Sequence, residues 1–288
     1  MVTVYVGAGL ANRMFQYAFA LSLKNKGYNV CIDECTFKPR YDFENIKLEN
    51  VFSNIILRNS KDSYYSLILN NNRVSKLFKR ITEYFPDYRY IERWNLSYYH
   101  NIEKKASFHC MYIGFWISYK YFNDIESLIK EAFVFREFTS LKNLNLASRL
   151  SQEESVAVHF RKNIDYIKNL PNTCPPNYYY NAIKYIKLHV DNPKFYFFSD
   201  NWEWVKENIK GVDYTAVNWN PSAGPDSYCD MQLMSLCKHN IIANSTYSWW
   251  GAYLNNNENK IIICPDLWFD NMQYNLDDIV PSKWIVIK

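Results

Sequence analysis

From residue 155 onward the period of apolar and polar positions switches at regular intervals. "SVAVHF" reads as a strand, "NYYYNAIKYIKLHV" as a helix, "KFYFFSD" as a strand and "NWEWVKENI" as a helix. "VDYTAV" follows as a strand, "SYCDMQLMSLCKH" as a helix, "NIIANS" as a strand, "YSWWGAYLNNN" as a helix and "KIIICP" as a strand. Strands alternating with helices predict a parallel, doubly wound sheet covered on both faces. A ligand of such a sheet lies beyond the carboxyl ends of its strands.

The first half begins the same way. "VTVYVGAGLANRMFQYAFALSLKNKG" predicts a strand, a glycine turn and a helix. That helix starts near Asn12, shows Met14, Phe15, Ala18 and Leu21 on its apolar face, and stops near Gly27. "YNVCID" adds a second strand and completes a βαβ unit. The pattern loosens from about 40 to 110, where "NNNRVSKLFKRITEYF" is basic and partly amphipathic, either a solvated helix face or a surface for a membrane or partner. "MYIGFWISYKYFNDIESLIKEAFVF" then predicts a strand and loop leading into a helix near Asn123. "REFTSLKNLNLASRLSQEES" is polar and carries no strand pattern, although part of it suits a helix. The domain boundary is placed there, giving domains 1–150 and 151–288. The expected class is α/β, with two Rossmann-like domains facing a central cleft.

Composition narrows the class. A formal charge of +4 on 288 residues suits an anionic ligand or membrane surface and falls well short of a nucleic-acid-binding signature. The 25 Tyr and 9 Trp serve core packing first and sugar or nucleotide faces second. Seven cysteines (31, 35, 110, 174, 229, 237 and 264) include no CxxC pair, so they read as reduced thiols and a zinc site is not expected. Met1 leads straight into a strand with no export-type apolar region, and no apolar run approaches a membrane span. The expectation is a cytoplasmic protein, with peripheral contact at the inner membrane as an option.

Polar groups gather just past four predicted strand ends: "GAGLANR"; His159, Arg161, Lys162 and Asp165; Ser199 and Asp200; and Asn244, Ser245, Thr246 and Ser248. Gly7 and Gly9 form a tight turn or let backbone approach a ligand; Asn12 at the third position breaks the dinucleotide fingerprint. Arg161 either pairs with a carboxylate or offers a planar fork to two phosphate oxygens. "ANSTYSWWG" supplies an N-cap and, at the same place, a second phosphate cradle. With Lys162, these elements suit a diphosphate bound without metal, since no DxD-type pair follows a strand. Asp230 either complements a helix dipole or accepts the N–H donors of guanine.

At these residues the sequence resembles the glycosyltransferase family 11 α-1,2-fucosyltransferases. "GLANRMFQYA" resembles the family's G-L-G-N-Q-M-F-Q-Y-A, and "HFRKNIDY" its H-x-R-R-G-D-Y. "FFSDNWEWVKENI", "DMQLMSLCKHNIIANSTYSWWGAYL" and "YIGFWISYKYF" are similar to three further family segments, in order along the chain. The resemblance implies a GT-B fold and inverting, metal-independent transfer of L-fucose from GDP-fucose to the 2-hydroxyl of a galactoside. No cofactor is implied. The partners would be GDP-fucose and a galactose-terminated glycan or lipid-linked oligosaccharide, with no nucleic acid. It carries onto Gly9, Asn12, His159, Arg161, Ser199, Asp200, Asp230, Ser248 and Trp249.

On that reading Arg161 assists departure of GDP, and Asp165 and His159 are the candidate bases. Lys162 and Ser248 stand near phosphate, with Asn244, Ser245 and Thr246 in the same donor site. Asn12, Phe115 and Trp116 face fucose and acceptor. The departures are Ala11 for a glycine, Arg13 for a glutamine, Lys162 for the second arginine, and one extra residue before Asp165. Asn163 is expected to take a positive φ where the family has glycine.

Overall fold

A computed structural model describes residues 1–34, 46–59, 73–74, 76–77, 88–93, 95–106, 109–170, 173–270 and 273–288. The chain divides into two compact units, Met1–Val134 and Phe135–Lys288. Most of the basic stretch 70–85, and Cys35, lie outside the described residues.

The first unit holds a parallel sheet of order β2-β1-β4-β3. Its strands are β1 (Val2–Tyr5), β2 (Val30–Asp33), β3 (Tyr88–Arg93) and β4 (His109–Gly114). Val2 pairs with Val30 on one side and with Cys110 on the other. All four residues of β1 are buried, the continuous apolar run of a strand covered on both faces. Helix α1 (Leu10–Asn25) returns along the sheet, and Phe19 stacks on Trp116 at 4.5 Å with Tyr112 and Tyr121 edge-on. Helices α2 (Leu48–Val51) and α3 (Glu126–Ala132) complete the described part, α3 following a 3-10 turn at Asn123–Ile125.

The second unit opens with α4 (Leu141–Gln152), inside the polar stretch where the sequence puts the boundary; its Leu146 and Leu150 are buried in this unit. Six parallel strands follow in the order β10-β9-β8-β5-β6-β7. They are β5 (Ser155–Phe160), β6 (Lys194–Ser199), β7 (Tyr214–Val217), β8 (His239–Ile241), β9 (Ile262–Pro265) and β10 (Ile285–Ile287). The helices are α5 (Ile164–Asn169), α6 (Pro176–His189), α7 (Trp202–Asn208), α8 (Cys229–Leu236), α9 (Thr246–Tyr253) and α10 (Leu276–Ile279). β5 is buried throughout, with Phe160 4.3 Å from the ring of Tyr179. The Tyr179 hydroxyl donates to the His159 carbonyl at 3.2 Å and pins the end of that strand. Among the described residues no helix is long and apolar enough to cross a membrane.

Strand order fixes where each unit opens. In the second unit the chain leaves β5 toward β6 and β7, then returns to β8 on the other side of β5. In the first it leaves β1 toward β2, next enters the sheet as β3 at the opposite edge, and then places β4 between β3 and β1. Connections diverging from adjacent strands leave a crevice at their carboxyl ends. The loops after β5 and β8, and those after β1 and β4, stand at these two switch points.

Candidate nucleotide-sugar site

At the β5 exit the backbone is held by the loop after β6. Asp200 accepts from the Lys162 amide at 2.6 Å and from the Asn163 side chain at 3.0 Å, and its Oδ2 lies 2.8 Å from Nη1 of Arg161. Asn201 donates to the Lys162 carbonyl at 2.8 Å while its Oδ1 caps α7 through the Trp204 amide. Ser199 Oγ accepts from the Asn201 amide at 3.0 Å. One turn thus fixes three consecutive residues of its neighbour. The Arg161 side chain is 37% exposed, and its guanidinium is anchored to Asp200 through Nη1.

Lys162 and Asn163 do not take the places expected of them. Lys162 is buried, its ammonium donating to the Thr173 carbonyl at 2.8 Å and lying 4.8 Å from the Trp204 ring centre. Burial lowers its pKa, and the charge ties a loop down instead of standing beside Arg161. Asn163 has no positive φ; its amide is used on Asp200 instead. Asp165 sits exposed in the first turn of α5, a helix that the charged sequence conceals.

His159 is 6% exposed, with its ring 5.8 Å from that of Tyr247. Its Nδ1 has no hydrogen-bond partner among the described residues. Burial, and secondarily the charge of Arg161, push its pKa down to about 3, so the ring is neutral at ordinary pH and a weak base. The Tyr247 hydroxyl accepts from the Met231 amide at 2.9 Å and donates to the Ser227 carbonyl at 2.7 Å, joining α9 to the first turn of α8. Asp230 stands in that turn, and desolvation raises its pKa to about 7 against the opposing effect of the Asn220 amide at 2.7 Å.

The start of α9 behaves as a cap. Ser245 Oγ accepts from the Tyr247 amide at 3.3 Å, Ser248 is fully buried, and Thr246 is partly exposed. Asn244 donates to the Trp268 carbonyl at 2.9 Å and accepts from Cys174. Trp249 is core: its ring stacks on Tyr253 at 4.8 Å and its N–H donates to Ile279 at 2.8 Å.

In the first unit Gln16 clamps the switch point. Its Oε1 accepts from the Gly7 amide at 2.7 Å and its Nε2 donates to the Gly114 carbonyl at 2.7 Å. Arg13 holds the same turn from the other side, donating to Ala8 at 2.8 Å and lying 3.7 Å from Glu34, both side chains nearly buried. Gly9 faces open space, and Asn12 is partly exposed. Phe115 is partly exposed, whereas Trp116 is buried against Phe19 and belongs to the core.

Gln16, Asn201, Tyr247, Asn143 and Asn220 were not singled out from the sequence. Their roles are contacts between segments distant in the chain, and no spacing rule reports those. Among the described residues no three His, Cys, Asp or Glu side chains gather as metal ligands.

The chain is 30% identical to an Escherichia coli alpha-1,2-colitosyltransferase, with 100% of this chain and 99% of the relative aligned. It is 29% identical to the E. coli O-antigen biosynthesis glycosyltransferase WbnK, over 97% and 98% of the two chains. The structure of Arabidopsis thaliana FUT1 in complex with GDP covers 91% of this chain, with 70% of its own length aligned, at a TM-score of 0.55 and 12% identity. The fold is GT-B, and the protein is a glycosyltransferase. The model of glycosyl transferase family 11 matches residues 1–288, and the chain belongs to that family.

Proposed function

We propose that the protein transfers L-fucose from GDP-fucose to the 2-hydroxyl of a terminal galactoside, with inversion and without metal. The carrying observation is Arg161, anchored 2.8 Å from Asp200 at the β5–β8 switch point with its side chain 37% exposed. A guanidinium so held meets a diphosphate already oriented, and it stabilises the charge that grows on departing GDP. Asp230, in its ionised form, pairs with the N–H donors of guanine. Lys162 and Asp200 act by fixing the Arg161 loop, and Asn244 and Trp249 by fixing α9. The exposed carboxylate of Asp165 is the candidate base; neutral His159 is too weakly basic for that role. The acceptor class is a galactose-terminated glycan or lipid-linked oligosaccharide, met at the cytoplasmic face of a membrane. The likeness to an O-antigen glycosyltransferase supports that choice.

The 30% identical colitosyltransferase favours a second donor, since colitose is fucose without its 3-hydroxyl. Both readings share the nucleotide, the leaving group and Arg161. A panel of GDP-fucose, GDP-colitose, GDP-mannose and a UDP-sugar, run with a β-galactoside acceptor and EDTA, tests them by mass spectrometry and linkage NMR. Transfer from one of the first two, insensitive to EDTA, is expected. Transfer from a UDP-sugar, or GDP binding with no turnover on any galactose-terminated acceptor, would sink the reading.

A further inference from the structure

Asp230 is reached by a run of side-chain hydrogen bonds whose direction is set by its first member. An indole N–H can only donate, so Trp219 Nε1, 2.7 Å from Asn143 Oδ1, fixes which end of the Asn143 amide is carbonyl. The amino end then donates to Asn220 Oδ1 at 2.8 Å. This in turn leaves Asn220 its own amino group, which donates to Asp230 Oδ1 at 2.7 Å. The three links come from the loop after β7, from α4 and from α8, and Asn143 is 1% exposed. Asp230 Oδ2 accepts no hydrogen bond from the described residues.

The titratable and charged groups around this turn do not supply the missing donor. Burial first, then the charges of Asp226 and Asp230, push the Cys229 thiol up to about 11 against the opposing Asn143 amide, and neither carboxylate donates when ionised. Tyr247, on which Asp230 and Arg161 act, already directs its hydroxyl proton to Ser227.

We infer that Trp219, Asn143 and Asn220 are positioning residues for base recognition, a polarised amide relay that turns one N–H toward Asp230, favours its charged form and leaves its second oxygen for the donors of a guanine-type base. The inference rests on the GDP-sugar reading above. Without the relay Asn220 is free to turn its carbonyl toward the carboxylate, and base pairing then competes with repulsion.

The test is GDP binding to the full chain by calorimetry between about pH 5.5 and 8.5, bracketing the titration of a perturbed aspartate. Inosine diphosphate, which lacks the exocyclic amino group, is the comparison ligand. Asn143→Asp is isosteric and still accepts from Trp219, but it has no N–H for Asn220. It is expected to weaken GDP on the order of tenfold, as for a lost hydrogen bond to a charged group, to shift the pH midpoint upward and to shrink the GDP-over-inosine preference. Trp219→Phe keeps an aromatic ring at the position while removing the donor with the pyrrole half of the indole, and is expected to move all three in the same direction by less; it decides alone where Asn143→Asp does not fold. An unchanged pH midpoint and base preference would overturn the relay even if transfer slowed. Failure of the wild-type protein to bind GDP at all would instead overturn the donor reading.

Discussion

Oδ2 of Asp200 stands 2.8 Å from Nη1 of Arg161, and its Oδ1 takes the amide of the next residue, Lys162, at 2.6 Å. One carboxylate therefore sets both the charge and the backbone of the β5 exit. Arg161→Ala is expected to lower kcat by about 10²–10³, the cost of removing one preorganised donor from a developing anion. Tm should stay close to wild type, because the side chain is partly exposed. Asp200→Ala should lower both, losing on the order of 1–3 kcal/mol by orphaning the groups it accepts from. Steady-state kinetics beside thermal melts separate the two; an Arg161→Ala enzyme with near-normal turnover contradicts the site.

Asp230 predicts an opposition between stability and binding. Its carboxyl titrates near 3.8 unfolded and at about 7 folded. The folded state therefore holds the extra proton between those values, and stability falls as pH rises through that window. Asp230→Asn should raise Tm at pH above 7, have less effect near pH 4, and weaken GDP. Calorimetric melts across pH, paired with GDP titration, check both halves.

His159 carries the opposite sign. It protonates at 6.5 in the unfolded chain and at about 3 in the folded one. Its contribution is complete above 6.5 and is lost as pH falls toward 3. His159→Gln should flatten the acid limb of the stability curve, read by circular dichroism. It should leave the acid limb of kcat in place, because the wild-type ring is already neutral there.

Two glycines of one turn should part company. A Cβ on Gly7 would stand 1.8 Å from the Tyr5 hydroxyl, whereas one on Gly9 meets no atom within 4 Å. Gly7→Ala is expected to depress Tm. Gly9→Ala, at a φ of −65° that alanine adopts freely, should leave Tm unchanged and reduce kcat/KM. Full activity in Gly9→Ala would remove Gly9 from the binding surface.

Trp249→Ala should cost about 3–5 kcal/mol, as for other buried aromatics, because its ring is fully buried and stacked. Chemical denaturation measures this. A loss of donor affinity with unchanged stability would return Trp249 to the site.

The sequence by itself determined the alternation of the second unit. Runs such as "SVAVHF" and "KFYFFSD" are buried on both faces as strands, and burial of that kind writes itself into composition. It also placed Arg161, Asp200 and Asp230 at strand and helix ends, because polar clusters after apolar runs mark the open edge of such a sheet. The short strand β10, the helix α5 behind the charged loop, and the membership of α4 in the second unit carried too little local signal. Only the tertiary structure decided which polar groups point outward. Lys162, Ser248 and Trp249 look like ligands in a motif, yet each is buried, and Lys162 and Trp249 are spent on holding a neighbour. Asn143 and Asn220 look like surface residues, yet they are lined up on Asp230. The physical reason is that a hydrogen bond between residues 77 apart, as for Asn143 and Asn220, leaves no period or spacing in the chain.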